Sequence, residues 1–366
     1  EGMDYAAAIG ALGGDPVYLL EVMNHVPRET VEAAAALVKA GKVKVNVAQV
    51  PQKLYIEVIA KGGSHTGRAI VRDLHTNVVL VEQDGTATLD KQDADTAASG
   101  DSDVVTPEQI ASFLTVRSIW DYCTKELDPM HDPIDIIRSA VQVNSVISDE
   151  GLSKEYGLAI GRNLDLNCRK GLMTRDLTTN SMIAAAAGAD ARMAGAPVSV
   201  VANSGSGNQG ITCSVPLIEY AKELHSGKEK LYRALIISNL VAIHEKTGIG
   251  TLSAYCGAVS AGAGAGAGIV YLCGDGYQAA IHTVVNALAI VSGIVCDGAK
   301  ASCAAKIASS VDAALLGYNM YKCHQEFKGG DGIVMKDIET TIKGIGRLGK
   351  NGMKETNEEI IRLMIE

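Results

Sequence analysis

The stretch AYCGAVSAGAGAGAGIVYLC, residues 254–273, decides the fold: it carries no charge and alternates Ala with Gly from 261 to 268. A membrane span of about 20 apolar residues is one reading. A helix buried inside a soluble protein is the other. Each Gly in a helix interior costs about 0.8 to 1 kcal/mol relative to Ala. Glycines at 257, 262, 264, 266 and 268 therefore forfeit about 4 to 5 kcal/mol, which only close contact between helix backbones returns. The Lys/Arg-rich flanks of a membrane segment are missing, and the expectation is a buried helix in a tightly packed helical body.

Composition agrees. Of 366 residues 47% are hydrophobic but only 4% aromatic, with one Trp and two Phe, so the interior must be filled by small aliphatic side chains. A net charge of -9 argues against a nucleic-acid binder, which needs clustered Lys and Arg. Eight cysteines spread over 123–323 in a large acidic chain fit reduced thiols and a cytoplasmic setting better than a disulfide framework.

Towards the N-terminus the period changes. Residues 3–12 and 27–40 have helical spacing, with Gly13-Gly14-Asp15-Pro16 and Gly41 as stops. Alternation then sets in at Val43, Val45 and Val47, at Leu54, Ile56 and Val58, over 69–74, and over 78–81 before Asp84-Gly85, which predicts an antiparallel sheet of three or four strands. Residues 83–103 are polar and acidic and read as a solvated linker. Beyond Pro107 the chain reads as helices, with a capping signal at 106–108 and stops at Gly151, Gly171 and Gly195. The expectation is an α+β protein. Residues 1–103 would hold the small antiparallel sheet with flanking helices, and residues 104–366 an all-helical catalytic domain.

Two constellations could carry chemistry. Residues 204–210, SGSGNQG, contain GxGxxG after an apolar run at 198–202 and before a helical run at 211–224. A dinucleotide fold would need alternating strands and helices to follow, and helix follows instead; the missing Lys-Ser/Thr pair excludes a P-loop. Ser204, Gly205, Ser206, Gly207, Asn208, Gln209 and Gly210 can instead seat a small carboxylate on backbone N–H groups at a helix N-terminus, or form only a capped turn. The second constellation is Cys256, Cys296 and Cys303, each beside small residues, with Asp297-Gly298 breaking the chain so that Cys296 ends one helix and Cys303 lies in the next. No CxxC pair supports zinc. Three thiolates without a fourth would leave one iron of a cluster open, whereas buried packing thiols are the plain alternative. The thiols at 123, 168, 213, 273 and 323 read as packing, Cys213 standing apart because it follows the Gly-rich turn.

Residues 204–214, SGSGNQGITCS, with Asp190-Ala191-Arg192-Met193, the 296–303 cysteine pair and Gly13-Gly14 with Leu20-Glu21-Val22, resemble the PLP-independent L-cysteine desulfidase family, akin to the iron-sulfur L-serine dehydratase α-chain. The resemblance runs over almost the whole chain. It implies that Cys256, Cys296 and Cys303 bind a [4Fe-4S] cluster with one iron free for substrate, without PLP, and that L-cysteine is eliminated to hydrogen sulfide, ammonia and pyruvate. L-Serine dehydration, or a cluster-bearing sensor without turnover, are its alternatives. It extends to His75-Thr76-Asn77, a candidate contact for the substrate's ammonium or carboxylate, and to Arg192, which either pairs with Asp190 or grips a carboxylate. Family members carry an upstream Gly-Cys-Thr-Glu-Pro segment that nothing here matches. With Glu at residue 1, either the chain lacks an N-terminal segment or this member works differently, and the catalytic base is left unassigned. A small amino acid is the expected partner, not nucleic acid or membrane, and a homo-oligomer is left open.

Overall fold

The computed structural model describes residues 2–23, 25–52, 54–92, 107–250 and 252–365. The chain divides into two compact units, Glu1–Val104 with Ile361–Glu366, and Val105–Ile360. The architecture is α+β.

In the first unit α1 (Met3–Gly13) and α2 (Arg28–Lys39) pack on each other. Strands β1 (Tyr55–Gly62), β2 (His65–Arg72), β3 (Val78–Gln83) and β4 (Thr86–Asp90) follow as an antiparallel meander in sequence order. Asp84 and Gly85 both take positive φ between β3 and β4, the backbone that two-residue hairpins demand. Ile70, Val79 and Leu80 form the buried centre of the sheet. Two expectations are corrected. Val43, Val45 and Val47 alternate but lie in irregular chain, because alternation makes a strand only where a neighbour supplies hydrogen bonds. Residues 86–90, expected in a linker, form the edge strand, whose polar side chains face water. The rest of that polar stretch, from 93, and the capping Thr106 lie outside the described residues.

The second unit is helical: α3 (Pro107–Phe113), α4 (Val116–Asp121), α5 (Asp135–Ser153), α6 (Ile160–Arg169), α7 (Leu177–Met193), α8 (Gly207–Glu223), α9 (Lys228–Ile249), α10 (Gly257–Leu272), α11 (Tyr277–Val291), α12 (Ser302–Lys322), α13 (Ile338–Arg347), and α14 (Lys354–Ile365), whose last residues belong to the first unit. Helix α10 is the axis, packed by α8, α9, α11 and α12. Residues two apart on a helix point about 200° apart, so its alternating glycines open two opposed grooves. On one side, a Cβ at Gly262 would come within 2.7 Å of the Ser310 carbonyl oxygen of α12, and one at Gly266 within 2.8 Å of Thr283 of α11. On the other, Gly264 and Gly268 lie on α9, with the carbonyl oxygens of Ser238 and Ala234 at 2.4 and 2.6 Å from the same imagined atoms. The 20-residue apolar stretch is thus a buried core helix, and among the described residues no helix is long and apolar enough to cross a membrane.

Gly151 does not stop a helix as expected. It lies within α5, where a Cβ would meet the Ala187 carbonyl oxygen of α7 at 1.9 Å. Gly171 and Gly195 do end α6 and α7, at positive φ.

Candidate active site

The site is built where three chain breaks meet the ends of α7, α8, α10 and α12. Residues 198–202 form no strand, which removes the structural context a dinucleotide reading requires. The chain instead turns sharply: Asn203 and Ser206 bridge each other, and Ser204 and Gly205 between them have φ of 49° and 77°. A left-handed Ser costs about 1 to 2 kcal/mol and is held here by a hydrogen bond from its Oγ to Asn203 Oδ1, while Asn203 donates to Asn239 Oδ1 of α9. Ser206 caps α8, its Oγ accepting from the Gln209 N–H and its carbonyl from the Gly210 N–H. Both hydroxyls of the Gly-rich turn therefore serve its construction. The Gly207 and Asn208 N–H groups, in the first turn, have no intrahelical acceptor and lie at the positive end of the helix dipole. Gly210 lets α8 start against the preceding chain, since a Cβ there would stand 1.9 Å from the Val201 carbonyl oxygen.

Two side chains join this turn to the cysteines. The Gln209 amide packs on Gly257, the first residue of α10, close enough that a Cβ at 257 would overlap it at 2.5 Å. Arg192, at the end of α7, packs on Gly207 in the same way, Nε standing 2.4 Å from where a Cβ would be. Burial pulls the Arg192 guanidinium below its ordinary value and the nearby Cys303 opposes that. The expected Asp190–Arg192 ion pair is not formed: Asp190 faces α6 and accepts the Gly161 N–H at 2.9 Å, and no carboxylate pairs with Arg192 among the described residues. The Oδ1 of Asn208 and Oε1 of Gln209 are buried without a hydrogen-bond partner, the state of groups that await a ligand.

The three singled-out cysteines come from three segments and fall within mutual electrostatic reach. Cys256 is the N-cap of α10. Cys296 lies beyond α11, not at its end as expected, in a short extended segment bridged to the chain before α10: the Cys256 N–H donates to the Ile294 carbonyl and the Cys296 N–H to that of Ala254. This ladder sets the two thiols in hydrogen-bond contact, and the thiol of Cys256 lowers Cys296 below the ordinary thiol range, with the Gly298 N–H and the charges of Lys306 and Lys246 helping. Cys256 is correspondingly pushed up. Cys303 is the second residue of α12, its thiol 3.7 Å from the Gly298 carbonyl. Cys256 is buried, whereas Cys296 and Cys303 are half-exposed, so the group opens on one side.

Among the described residues, no set of three His, Cys, Asp or Glu side chains closes on one point that a single metal ion could occupy. The donor set is of another kind: three soft thiols under the influence of the positive charges of Lys246, Lys306 and Arg192, a chemistry that suits an anionic thiolate-ligated cluster.

The remaining thiols divide. Cys213 is fully buried against the Ala261 carbonyl and pushed to about 12 by burial, so it packs. Cys273 and Cys323 are exposed, contrary to the expectation that they fill the core. His75, Thr76 and Asn77 form the β2–β3 turn of the first unit, where Asn77 Nδ2 donates to the Arg72 carbonyl and His75 and Thr76 face solvent. Sequence reading missed Glu245, Lys246 and Lys306. The signal was present in Glu245-Lys246, a charged pair within the apolar run of α9, because charges are seldom buried unless they are paired or serve a function.

The family model for the serine dehydratase alpha chain matches residues 20–362, and the chain belongs to that family. It is 43% identical to a UPF0597 protein of Desulfitobacterium hafniense over 100% of this chain and 82% of that one. UPF0597 proteins of Oleidesulfovibrio alaskensis and Treponema denticola are 42% and 41% identical, each again over the whole of this chain and 83% of theirs.

Proposed function

We propose that the protein is a lyase that carries out α,β-elimination on a small L-amino acid, with L-cysteine as substrate and hydrogen sulfide, ammonia and pyruvate as products. The observation that carries this reading is the junction of the Gly-rich turn with the three thiols through Gln209 on Gly257 and Arg192 on Gly207. Cys256, Cys296 and Cys303 would hold a [4Fe-4S] cluster, which when bound supplies a Lewis-acidic iron for the leaving group at Cβ. The chain's own groups do the rest. The free N–H groups at the start of α8 and the Arg192 guanidinium bind the carboxylate. The unpartnered amide oxygens of Asn208 and Gln209 accept from the ammonium. Fixing both ends of the amino acid aligns its Cα–H bond for removal, and the aminoacrylate product tautomerises and hydrolyses without further catalysis.

The family match favours a second reading, dehydration of L-serine by the same groups. Under anaerobic conditions, after reconstitution with iron and sulfide, sulfide release from L-cysteine is compared with pyruvate formation from L-serine. Sulfide and pyruvate in equal amounts from cysteine support the proposal. Turnover of serine alone overturns it in favour of the dehydratase, and a bound cluster with no turnover of either makes the protein a sensor.

A further inference from the structure

We infer that Glu245, acting through the Ser260 hydroxyl, is the internal proton donor of this site, protonating the leaving group as it departs. The inference rests on the lyase reading above.

Glu245 belongs to α9 and is 1% exposed, yet neither carboxyl oxygen has a well-formed hydrogen bond among the described residues. The Ser260 hydroxyl of α10, itself buried and without another partner, is the polar group that faces it. The other titratable groups that bear on it are Cys213 from α8 and Tyr255 from the segment before α10. Among the described residues no cation offsets it, and burial pushes its carboxyl well above the ordinary range, which favours the protonated form. A buried, unpaired acid is a standing penalty to stability, which calls for a function.

Its position supplies one. Gln209 in the first turn of α8 lies on Gly257, and Cys213, one turn on, lies on Ala261. Glu245 bears on Cys213, which places it at this second level, one turn of α8 further in than Gln209. Ser260 stands one turn along α10 from Cys256 and so lies between the two levels. Proton balance closes. Elimination releases the Cα proton and a thiolate; the Glu245 proton passes by way of Ser260 to the departing sulfur, and the proton released from Cα restores the carboxyl. No oxidant or further reactant is needed.

The test compares wild type with Glu245→Gln and Ser260→Ala, each reconstituted anaerobically. The isosteric amide keeps the packing and a donor N–H but cannot release a proton. The expected result is unchanged iron content and KM with a kcat about 100-fold lower in both variants, and loss in Glu245→Gln of the alkaline fall in kcat. Infrared difference spectra of wild type against Glu245→Gln, recorded without substrate, should show the carbonyl stretch of a protonated carboxyl at pH 7. A Glu245→Gln enzyme matching wild type across pH overturns the relay alone and leaves a structural acid. Absence of the infrared band overturns it whatever the activity. A wild type that turns over neither amino acid, with the band present, overturns the lyase reading and the relay with it.

Discussion

Replacing Gly264 by Ala puts the packing of the axial helix to a quantitative test. In an isolated helix the change would be favourable by about 1 kcal/mol. Here the added Cβ would stand 2.4 Å from the Ser238 carbonyl oxygen and 3.2 Å from Ala242. The carbonyl belongs to the hydrogen-bonded backbone of α9 and cannot swing away as a side-chain tip could. Separation of the two helices must then relieve the overlap, at a cost of about 3 kcal/mol at the upper end of measured overpacking. The net expectation is destabilisation by about 2 kcal/mol, or a midpoint about 4 to 8 °C lower for a unit of this size. Gly344→Ala is the control, because the nearest atom to a Cβ there is Met335 Cγ at 3.6 Å, an ordinary contact. It should leave stability unchanged or raise it by up to about 1 kcal/mol. Thermal and urea unfolding followed by far-ultraviolet circular dichroism reads both. A Gly264→Ala protein as stable as wild type would refute the claim that the alternating glycines exist to admit α9.

Asp190 gives a pH signature. Burial raises its carboxyl to about 6 from 3.8, against the pull of the Gly161 and Ile160 N–H groups. The folded state thus keeps a proton that the unfolded chain releases, so this group favours folding in acid and the contribution is lost as pH rises from about 4 through about 6, amounting to about 3 kcal/mol. Urea midpoints of Asp190→Asn should lack that slope; an unchanged slope would contradict the assignment. Arg192→Lys keeps the charge but loses the planar fork, and steady-state kinetics should show KM raised about tenfold or more with kcat little changed. An equal loss in kcat would place Arg192 at the reacting bond instead.

The helices α1, α2 and α8 were legible because their apolar spacing is bounded by Gly, Pro or a capping Ser, signals that act locally. The sheet was read in number but not in membership. Residues 43–47 carry the alternation without a partner strand, while residues 86–90 owe their pairing to the Asp84-Gly85 hairpin and have little apolar pattern of their own. Gly151 looked like punctuation, and only its contact with Ala187 reveals why a helix needs it. In the site, the unusual residues could be seen as a set, but not what joins them. The links are Gln209 on Gly257, Arg192 on Gly207, and the ladder that sets Cys296 beside Cys256, all between segments far apart in the chain. The Asp190–Arg192 pair, adjacent enough to suggest itself, fails because α6 offers Asp190 free N–H groups to cap.

The most direct test of the three-thiol centre is iron and acid-labile sulfide content per chain after anaerobic reconstitution, since an exposed iron corner is lost to oxygen. Wild type should take up about four of each, and Cys256→Ala, Cys296→Ala and Cys303→Ala should each fall far below it while keeping the wild-type circular dichroism spectrum. Iron content at the wild-type level in all three variants would contradict the claim that these cysteines form one centre.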